Sequence, residues 1–451
     1  MDSVVKRVLK DIKESSPGQE EFYQAAQEVL VTIKPLLDRD ARYYDYNILQ
    51  RVVVPERTII FRVNWIDDSG RVQTNLGYRV QFNSAIGPYK GGLRFHPSVN
   101  LGVVKFLGFE QIFKNALTGL QIGGAKGGSN FNPKGKSDNE VMRFCQAFMN
   151  ELYKYIGQNR DVPAGDIGVG HREIGYLFGQ YKKLTGEFDG VLTGKGINWG
   201  GSFARKQATG YGSVYFANEY LNINGKSLEG KVCTVSGSGN VAIYTIEKLY
   251  DLGAKVVACS DSKGTIYHEN GIDLASLKSV KEIHRASLEE YAKLHPDCKY
   301  IDAMDYPEGG HAIWHIPCDL AFPSATQNEL TLVDAKALVK SGCILVNEGA
   351  NMPTTPDAIE YLQKNGVMFS PAKAANAGGV ATSQLEMSQN ASKTQWNFQE
   401  VDIKLRQIMK KIFKSAYDTS KEYGKDGNLL IGANIAGFKK VADSMIDQGA
   451  I

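Results

Sequence analysis

The chain has 451 residues, 43% of them hydrophobic and 22% charged, which is ordinary for a globular protein with room for two or three domains. With 52 Lys and Arg against 49 Asp and Glu the formal net charge is +3, and no basic run stands out, so nucleic acid is not an expected partner. No apolar run reaches the roughly 18 residues of a membrane span, and the opening MDSVVKRVLKDIKESS is charged throughout, so neither membrane insertion nor a secretory signal is expected.

The six cysteines (Cys145, Cys233, Cys259, Cys298, Cys318 and Cys343) form no CxxC pair, and the seven histidines are dispersed without HExxH. Reduced thiols in a cytoplasmic protein fit this usage better than disulfides, and nothing supports a metal site.

In chain order, residues 1–50 read as helical, with Val4, Val5, Val8 and Leu9, then Phe22, Ala25, Val29 and Ile33, at helical spacing. Two strand-like runs follow, Thr58–Ile66 and Arg71–Phe82, and Asp67-Asp68-Ser69-Gly70 between them predicts a hairpin. The next stretch, Pro88 to Gly128, is the most unusual. Lys90 and Lys126 are each wrapped in glycine, as Tyr89-Lys90-Gly91-Gly92 and Gly123-Gly124-Ala125-Lys126-Gly127-Gly128. Glycine lets the backbone bend and lets a ligand come close. Lys114 lies on an apolar helical pattern (Leu101, Val104, Phe106, Leu107, Ile112, Phe113, Leu117), with Gln111 three residues before it on the same face. The bland reading is three solvated lysines beside loop glycines. The sharper one is a cationic pocket for a small dicarboxylate, in which an ammonium inside an apolar cleft has a lowered pKa and moves protons.

Ser137-Asp138-Asn139-Glu140 has the form of a capping box and opens a helix to about Tyr155. Asp161 to Gly170 reads as a glycine-dense loop with Asp166 in its middle, either a turn aspartate or a carboxylate brought near the lysines. A linker falls near Gly194–Phe203, and Thr209-Gly210-Tyr211-Gly212 begins a helix to about Leu221.

Then Lys231–Val235 reads as a buried strand running into Gly237-Ser238-Gly239-Asn240-Val241-Ala242, a helix through Tyr250, and a second strand, Lys255–Cys259, ending in Ser260-Asp261-Ser262-Lys263. Strand, G-x-G-x-x-A, helix, strand and acid together are the fingerprint of a dinucleotide-binding βαβ unit, with pyrophosphate at the helix N-terminus. The acid end is ambiguous. Asp261 suits a ribose 2′-hydroxyl and NAD, whereas Ser262 and Lys263 suit a 2′-phosphate and NADP.

Two later strands, Asp319–Phe322 and Cys343–Asn347, end in Ser324-Ala325-Thr326 and Glu348-Gly349-Ala350-Asn351, where open α/β sheets place ligands. Ala374 to Val380 is small and flexible in composition, a candidate hinge, and Ser383 follows in a helical run to Asn390. The remainder from about Trp396 is helical, with a last helix around Gly437–Ile446.

Taken together, Pro88–Pro97, Gly123–Gly128, Pro163–Gly168, Ala208–Gly212, Gly237–Ala242 and Glu386–Asn390 resemble glutamate dehydrogenase, of the shorter hexameric type of bacteria, fungi and protists, over essentially the whole chain. The resemblance implies an α/β protein: an N-terminal substrate-binding and oligomerisation domain with a mixed sheet (1–200), a Rossmann-type dinucleotide-binding domain (201–375), and C-terminal helices returning to the first domain (376–451). It implies reversible oxidative deamination of L-glutamate to 2-oxoglutarate and ammonium, in a cytoplasmic homohexamer.

Residue by residue, the resemblance implies that Lys90 and Ser383 take the γ-carboxylate and that Gln111 and Lys114 take the α-carboxylate. Lys126 is then the catalytic lysine, Asp166 the proton carrier for the substrate nitrogen, and the Gly165 carbonyl a contact of the amino group. Thr209, Gly237, Ser238, Gly239, Asn240, Val241, Asp261, Ser262, Lys263, Ala325, Thr326, Asn351 and Asn376 would hold the cofactor. Ser260-Asp261-Ser262-Lys263 looks like the NADP-using version, which favours NADP over NAD. His96 is taken as structural. Substrate and cofactor on separate domains imply closure about segments near Gly196–Ser202 and Asn376–Gly379. The rivals are a branched-chain or aromatic amino-acid dehydrogenase of the same fold, which needs an apolar side-chain pocket in place of Lys90, and a catalytically inactive nucleotide-binding protein, which has no need of Lys126 or Asp166.

Overall fold

The computed structural model describes residues 3–450; Met1 and Asp2, which begin the stretch 1–50 expected to be helical, and Ile451, the last residue of the expected C-terminal segment 376–451, lie outside them. Contacts divide the chain into two units, Met1–Phe203 with Val380–Val401 and Asn434–Ile451, and Ala204–Gly379 with Asp402–Ala433.

In the first unit the expected hairpin forms. β1 (Arg57–Ile66) and β2 (Val72–Asn83) pair antiparallel from Ile66 opposite Val72 to Arg57 opposite Gln81. Asp67 Oδ1 closes the turn by accepting from the N–H groups of Ser69 and Arg71, at 2.9 and 3.0 Å, and Gly70 takes φ +80°. With β3 (Tyr89–Phe95), β4 (Gly124–Ser129) and β5 (Asp161–Gly165) they make a five-stranded mixed sheet, ordered β1-β2-β4-β3-β5. β3 runs parallel to both β4 and β5, so helices must carry the chain across. The helix Leu101–Leu117, capped by Asn100, joins β3 to β4. The helix Asp138–Leu152, opened by the Ser137–Glu140 capping box, leads towards β5. An aromatic core lies beside this helix: Phe131 stacks on Phe144 at 3.8 Å, and Trp65, Phe95 and Phe148 meet them edge-on or tilted.

Two sequence expectations change here. The stretch from Asp161 to Gly170, expected as loop, begins with β5, paired to β3 from Tyr89 opposite Asp161 to Leu93 opposite Gly165. Its Pro163 is tolerated because β5 has a neighbour on one side only. Gly91, Gly92, Gly124, Gly127 and Gly128, around Lys90 and Lys126, are likewise in strands, and they serve close packing rather than flexibility. A Cβ on Gly91 would stand 1.6 Å from the Ala125 carbonyl oxygen, and one on Gly124 would stand 2.6 Å from Ile112.

The second unit has a seven-stranded sheet ordered β12-β11-β10-β6-β7-β8-β9. Its strands are β6 (Val232–Val235), β7 (Lys255–Ser260), β8 (Gly264–Tyr267), β9 (Lys299–Asp302), β10 (Leu320–Phe322), β11 (Leu345–Asn347) and β12 (Met368–Ser370). β12 through β7 are parallel, and β8 and β9 extend the sheet antiparallel. The chain leaves β6 for β7 on one side and later returns to β10 on the other, so the order reverses between β6 and β10. That is where open α/β sheets bind ligands.

The small-residue run Ala374 to Val380 covers the end of the helix Ala372–Ala375, a turn at Asn376 and Ala377, and the start of the helix Gly378–Ser392. A Cβ on Gly378 would stand 2.1 Å from the Ala208 carbonyl oxygen, which explains the glycine by packing. Of the C-terminal segment, residues 402–433 group with the second unit. There Tyr215 donates to the Asp402 carboxylate at 2.7 and 2.8 Å, and Phe216 meets Phe413 edge-on at 5.4 Å. No helix among the described residues is long and apolar enough to cross a membrane.

Candidate active site

The first unit brings its charged residues together through the sheet. Lys126 on β4 and Arg94 on β3 converge on Asp166, which follows β5. Lys126 Nζ lies 3.1 Å from Asp166 Oδ1, and Arg94 Nε lies 2.6 Å from Oδ2. Asp166 is turned inward by a tight reversal in which Val169 N–H returns to the Asp166 carbonyl at 2.9 Å and Gly168 takes φ +73° against Phe95. Lys126 is buried, at 6% exposure. The helix Leu101–Leu117 comes close over it because position 108 is glycine: a Cβ there would be 3.6 Å from Lys126 and 3.2 Å from Phe82.

Burial lowers the proton affinity of Lys126 below that of a free lysine. Asp166 opposes the shift, while Arg94 and Arg79 add to it. For Asp166 burial acts upward, but the charges of Lys126 and Arg94 outweigh it and pull the carboxyl down to about 2. The result is a lysine that releases its proton more easily than usual beside a carboxylate that rests ionised at neutral pH.

Lys90, on β3, is 1% exposed, and its ammonium donates to Thr193 Oγ1 at 2.9 Å. Ser383 is buried on the helix Gly378–Ser392. Gln111 and Lys114 are half-buried on the helix Leu101–Leu117. Gln111 donates to Asn115 Oδ1 at 2.6 Å, and Asn115, fully buried, donates to the carbonyls of Lys90 (3.1 Å) and Gly123 (2.5 Å). One amide thus ties the helix to both lysine-bearing strands. The Gly165 carbonyl lies against Gly92, where a Cβ would stand 2.8 Å away. His96 is exposed and bonded to Ser98 Oγ at 2.8 Å, a local turn contact.

In the second unit the expected nucleotide residues sit at the carboxyl ends of the parallel strands. Gly237, at φ +84°, makes the turn after β6 and is fixed by its N–H to Ser260 Oγ at 3.0 Å. The helix Asn240–Asp251 then begins at Gly239 with no side chain capping it, so its first N–H groups face outward as an anion site. A Cβ on Gly239 would meet nothing, so the approach to those groups is open. Ser238 is buried and Val241 half-buried, and Ala325, Thr326 and Asn351 are exposed on the neighbouring loops. Thr209 is half-buried near the start of the helix Ala208–Ile223.

Ser262 and Lys263 are exposed, but Asp261 is not available in the way its spacing suggests. Its Oδ1 accepts from the N–H groups of Lys263 (2.9 Å) and Gly264 (3.2 Å), and its Oδ2 from Lys281 (3.0 Å) and Leu288 N–H (2.9 Å). A carboxylate has about four acceptor positions, so all are engaged, two by its own loop and two by Lys281 and Leu288 from later in the chain. Burial acts upward on this group, but the bonds from Lys263, Leu288 and Lys281 hold its pKa below the usual carboxylate range. Asn376 is buried, and its amide donates to the Ala350 carbonyl and Asn351 Oδ1, both at 3.0 Å, while its Oδ1 makes no hydrogen bond. An uncapped helix start, an exposed serine–lysine pair and a buried amide oxygen with no partner form a donor and acceptor set that fits a phosphorylated dinucleotide carrying a carboxamide.

Comparison with known proteins is decisive on ancestry. Residues 55–183 match the family model "Glu/Leu/Phe/Val dehydrogenase, dimerisation domain", and residues 200–449 match "Glutamate/Leucine/Phenylalanine/Valine dehydrogenase". The chain belongs to this family. A relative from Helicobacter pylori, named NADP-specific glutamate dehydrogenase, is 59% identical over 445 residues, 99% of each chain. One from Xylanibacter ruminicola, named NAD(P)-specific glutamate dehydrogenase, is 55% identical over 98% of each. The crystal structure of Plasmodium falciparum glutamate dehydrogenase superposes with a TM-score of 0.96 at 52% identity, covering 99% of this chain and 95% of that one.

Within this family fold, sequence reasoning missed three participants. Thr193 had no motif, Asn115 was hidden in an apolar helix, and Arg94 stood inside Lys90-Gly91-Gly92-Leu93-Arg94 without an assigned role. Only the last carried a signal, an arginine four residues after a buried lysine on a strand bound for the core.

Proposed function

We propose that this chain catalyses the reversible oxidative deamination of L-glutamate to 2-oxoglutarate and ammonium with NADP(H). The observation that carries the reading is the Lys126–Asp166 pair, 3.1 Å apart with side chains 7% and 16% exposed, on the same sheet as a fully buried lysine, Lys90. Lys90 and Lys114 offer a cation to each carboxylate of a diacid, which leaves Lys126 and Asp166 for the proton chemistry.

In this reading Lys90 and Ser383 take the side-chain carboxylate, and Gln111 and Lys114 take the α-carboxylate, which fixes Cα in one orientation. The Gly165 carbonyl receives a hydrogen bond from the amino group. A bound NADP would supply the hydride acceptor for Cα, and NADPH the hydride for the reverse direction. Lys126 removes a proton from the water that attacks the substrate imine carbon and stabilises the resulting carbinolamine, a task suited to its lowered proton affinity. Asp166 receives and returns the proton of the substrate nitrogen. It stays ionised at neutral pH because two cations hold it.

The N–H groups after Gly237, with Ser238, Gly239, Asn240 and Val241, would hold the pyrophosphate. Ser262 and Lys263 would hold the 2′-phosphate, with Asp261 shaping their loop. Thr209, Ala325, Thr326, Asn351 and Asn376 would line the remainder, with the free Asn376 Oδ1 suited to the carboxamide. The first unit then serves substrate binding and subunit contact, the second serves the dinucleotide, and the protein works as a cytoplasmic homohexamer. The alternatives are disfavoured, since an apolar amino acid has no use for Lys90 and an inactive binder has no use for a Lys126–Asp166 pair.

The test is oxidation of reduced nicotinamide, followed by absorbance, with 2-oxoglutarate and ammonium. NADPH should be consumed quickly and NADH more slowly. No decay with either overturns the reading.

A further inference from the structure

Another buried ion pair in the first unit has no part in the proton chemistry. Lys195 Nζ lies 2.9 Å from Glu386 Oε1, with the two side chains 1% and 0% exposed. Removing two charges from water costs several kcal/mol per ion after relaxation, and such pairs are often no more stabilising than apolar residues. Stability is therefore a weak reason for this pair to exist. Its contacts suggest another.

Glu386 accepts from the N–H groups of Gly194 (2.9 Å) and Lys195 (3.2 Å), and the Lys195 ammonium also donates to the Leu192 carbonyl. Leu192 is fully buried at φ +62°, a left-handed conformation that costs a leucine energy and persists only where the surroundings impose it. The residue enclosed by these contacts is Thr193. Its N–H is bonded to the Pro163 carbonyl at 2.9 Å, and its hydroxyl receives the Lys90 ammonium. At the other end, Glu386 stands three residues after Ser383 on one helix, about 4.5 Å along its axis. The pair therefore locks the loop carrying the partner of Lys90 to the helix carrying Ser383.

We propose that Lys195 and Glu386 are specificity-determining positioning residues, which set the spacing of Thr193, Lys90 and Ser383 to the length of a glutamate-type side-chain carboxylate. This rests on the reading that Lys90 and Ser383 take that carboxylate.

The test replaces both charges by near-isosteres, Lys195→Met with Glu386→Gln, which keeps one acceptor oxygen where the carboxylate offered two to the backbone N–H groups. The readout is kcat and KM for glutamate and for norvaline, an apolar amino acid of similar length. Expected is a rise of roughly tenfold or more in the KM for glutamate, with kcat at saturation and the KM for NADP changed less than about threefold, and a matching fall in the preference for glutamate over norvaline. Lys195→Arg should keep most of the preference. A folded double variant with unchanged preference overturns the proposal, as does a uniform loss of all constants. Should the double variant not fold, Lys195→Met alone is read the same way, and failure of both to fold assigns the pair to stability and overturns the proposal. Lys90→Leu, measured in parallel, separates the two claims. If it leaves the preference unchanged, the pocket assignment fails; if it shifts preference towards norvaline and the pair variants do not, only the positioning claim fails.

Discussion

The two units recognise charge in opposite ways. In the first, side-chain charges on or beside the strands face one another: Lys126 and Arg94 meet the partly buried Asp166, and Arg79 meets Asp161, both of whose side chains are fully buried. In the second, the groups facing solvent are backbone N–H groups and exposed short side chains on loops, and the buried charges lie beneath them. Asp261 accepts from the N–H groups of Lys263, Gly264 and Leu288. Glu329 accepts from those of Ala325 and Thr326, and Glu348 from those of Thr354 and Ala372. Burial pushes the proton affinity of Glu329 up, against the bonds from the loop it supports. A small reactive substrate needs charges of tuned strength in a dry place, whereas a long anionic cofactor needs loop geometry. The difference predicts that side-chain identity should matter most in the first unit and loop shape most in the second.

The largest effect should come from the reacting pair. Lys126→Met or Asp166→Asn should lower kcat about 10²–10⁴-fold, the usual contribution of general acid–base groups, with NADPH binding by fluorescence titration unchanged. Near-normal turnover in either variant would remove that residue from the proton path. Packing gives the next contrast. Gly91→Ala places a methyl group against the Ala125 carbonyl and should cost about 3 kcal/mol or more in denaturant unfolding. Gly239→Ala, with open space around it, should cost no more than about 1 kcal/mol as a poorer helix cap.

A smaller effect is expected on the second unit's loop. Ser262→Ala with Lys263→Ala should weaken NADPH by about 1.5–3 kcal/mol, the scale of a hydrogen bond to a charged group, and leave NADH nearly unchanged. Equal weakening of both would show that the 2′-phosphate is read elsewhere. The finest distinction is a shift in pH. The groups acting on Lys126 are Asp166, Arg94 and Arg79, and the positive charge of Arg94 helps to lower its proton affinity. If neutral Lys126 is the base, kcat/KM rises with pH as it loses its proton. Arg94→Gln lets it hold that proton more tightly, so the rising limb should move to higher pH. A limb that stays in place, or moves down, would separate Lys126 from that ionisation.

Much of this was legible in the residues. The βαβ fingerprint from Lys231 to Lys263 reads directly because its turn, helix start and second strand are adjacent in sequence, and local steric rules decide each of them. The β1–β2 hairpin and the Ser137–Glu140 capping box are legible for the same reason. The three lysines also stood out, but for Lys90 and Lys126 the reason was partly mistaken, since their glycines pack strands and do not loosen loops.

What the sequence determined by itself is the set of local structures and the list of reactive side chains, because these depend on near neighbours, on φ preferences and on periodicity. The tertiary structure decided which of those side chains meet. β5 is a strand because β3 lies beside it, Asp166 is held near 2 because Lys126 and Arg94 arrive from two other strands, and Asp261 is closed off because Lys281 and Leu288 reach it from a later turn of the chain. Pairing across the sheet and the loss of water around a charge are properties of distant neighbours, and no local pattern encodes them.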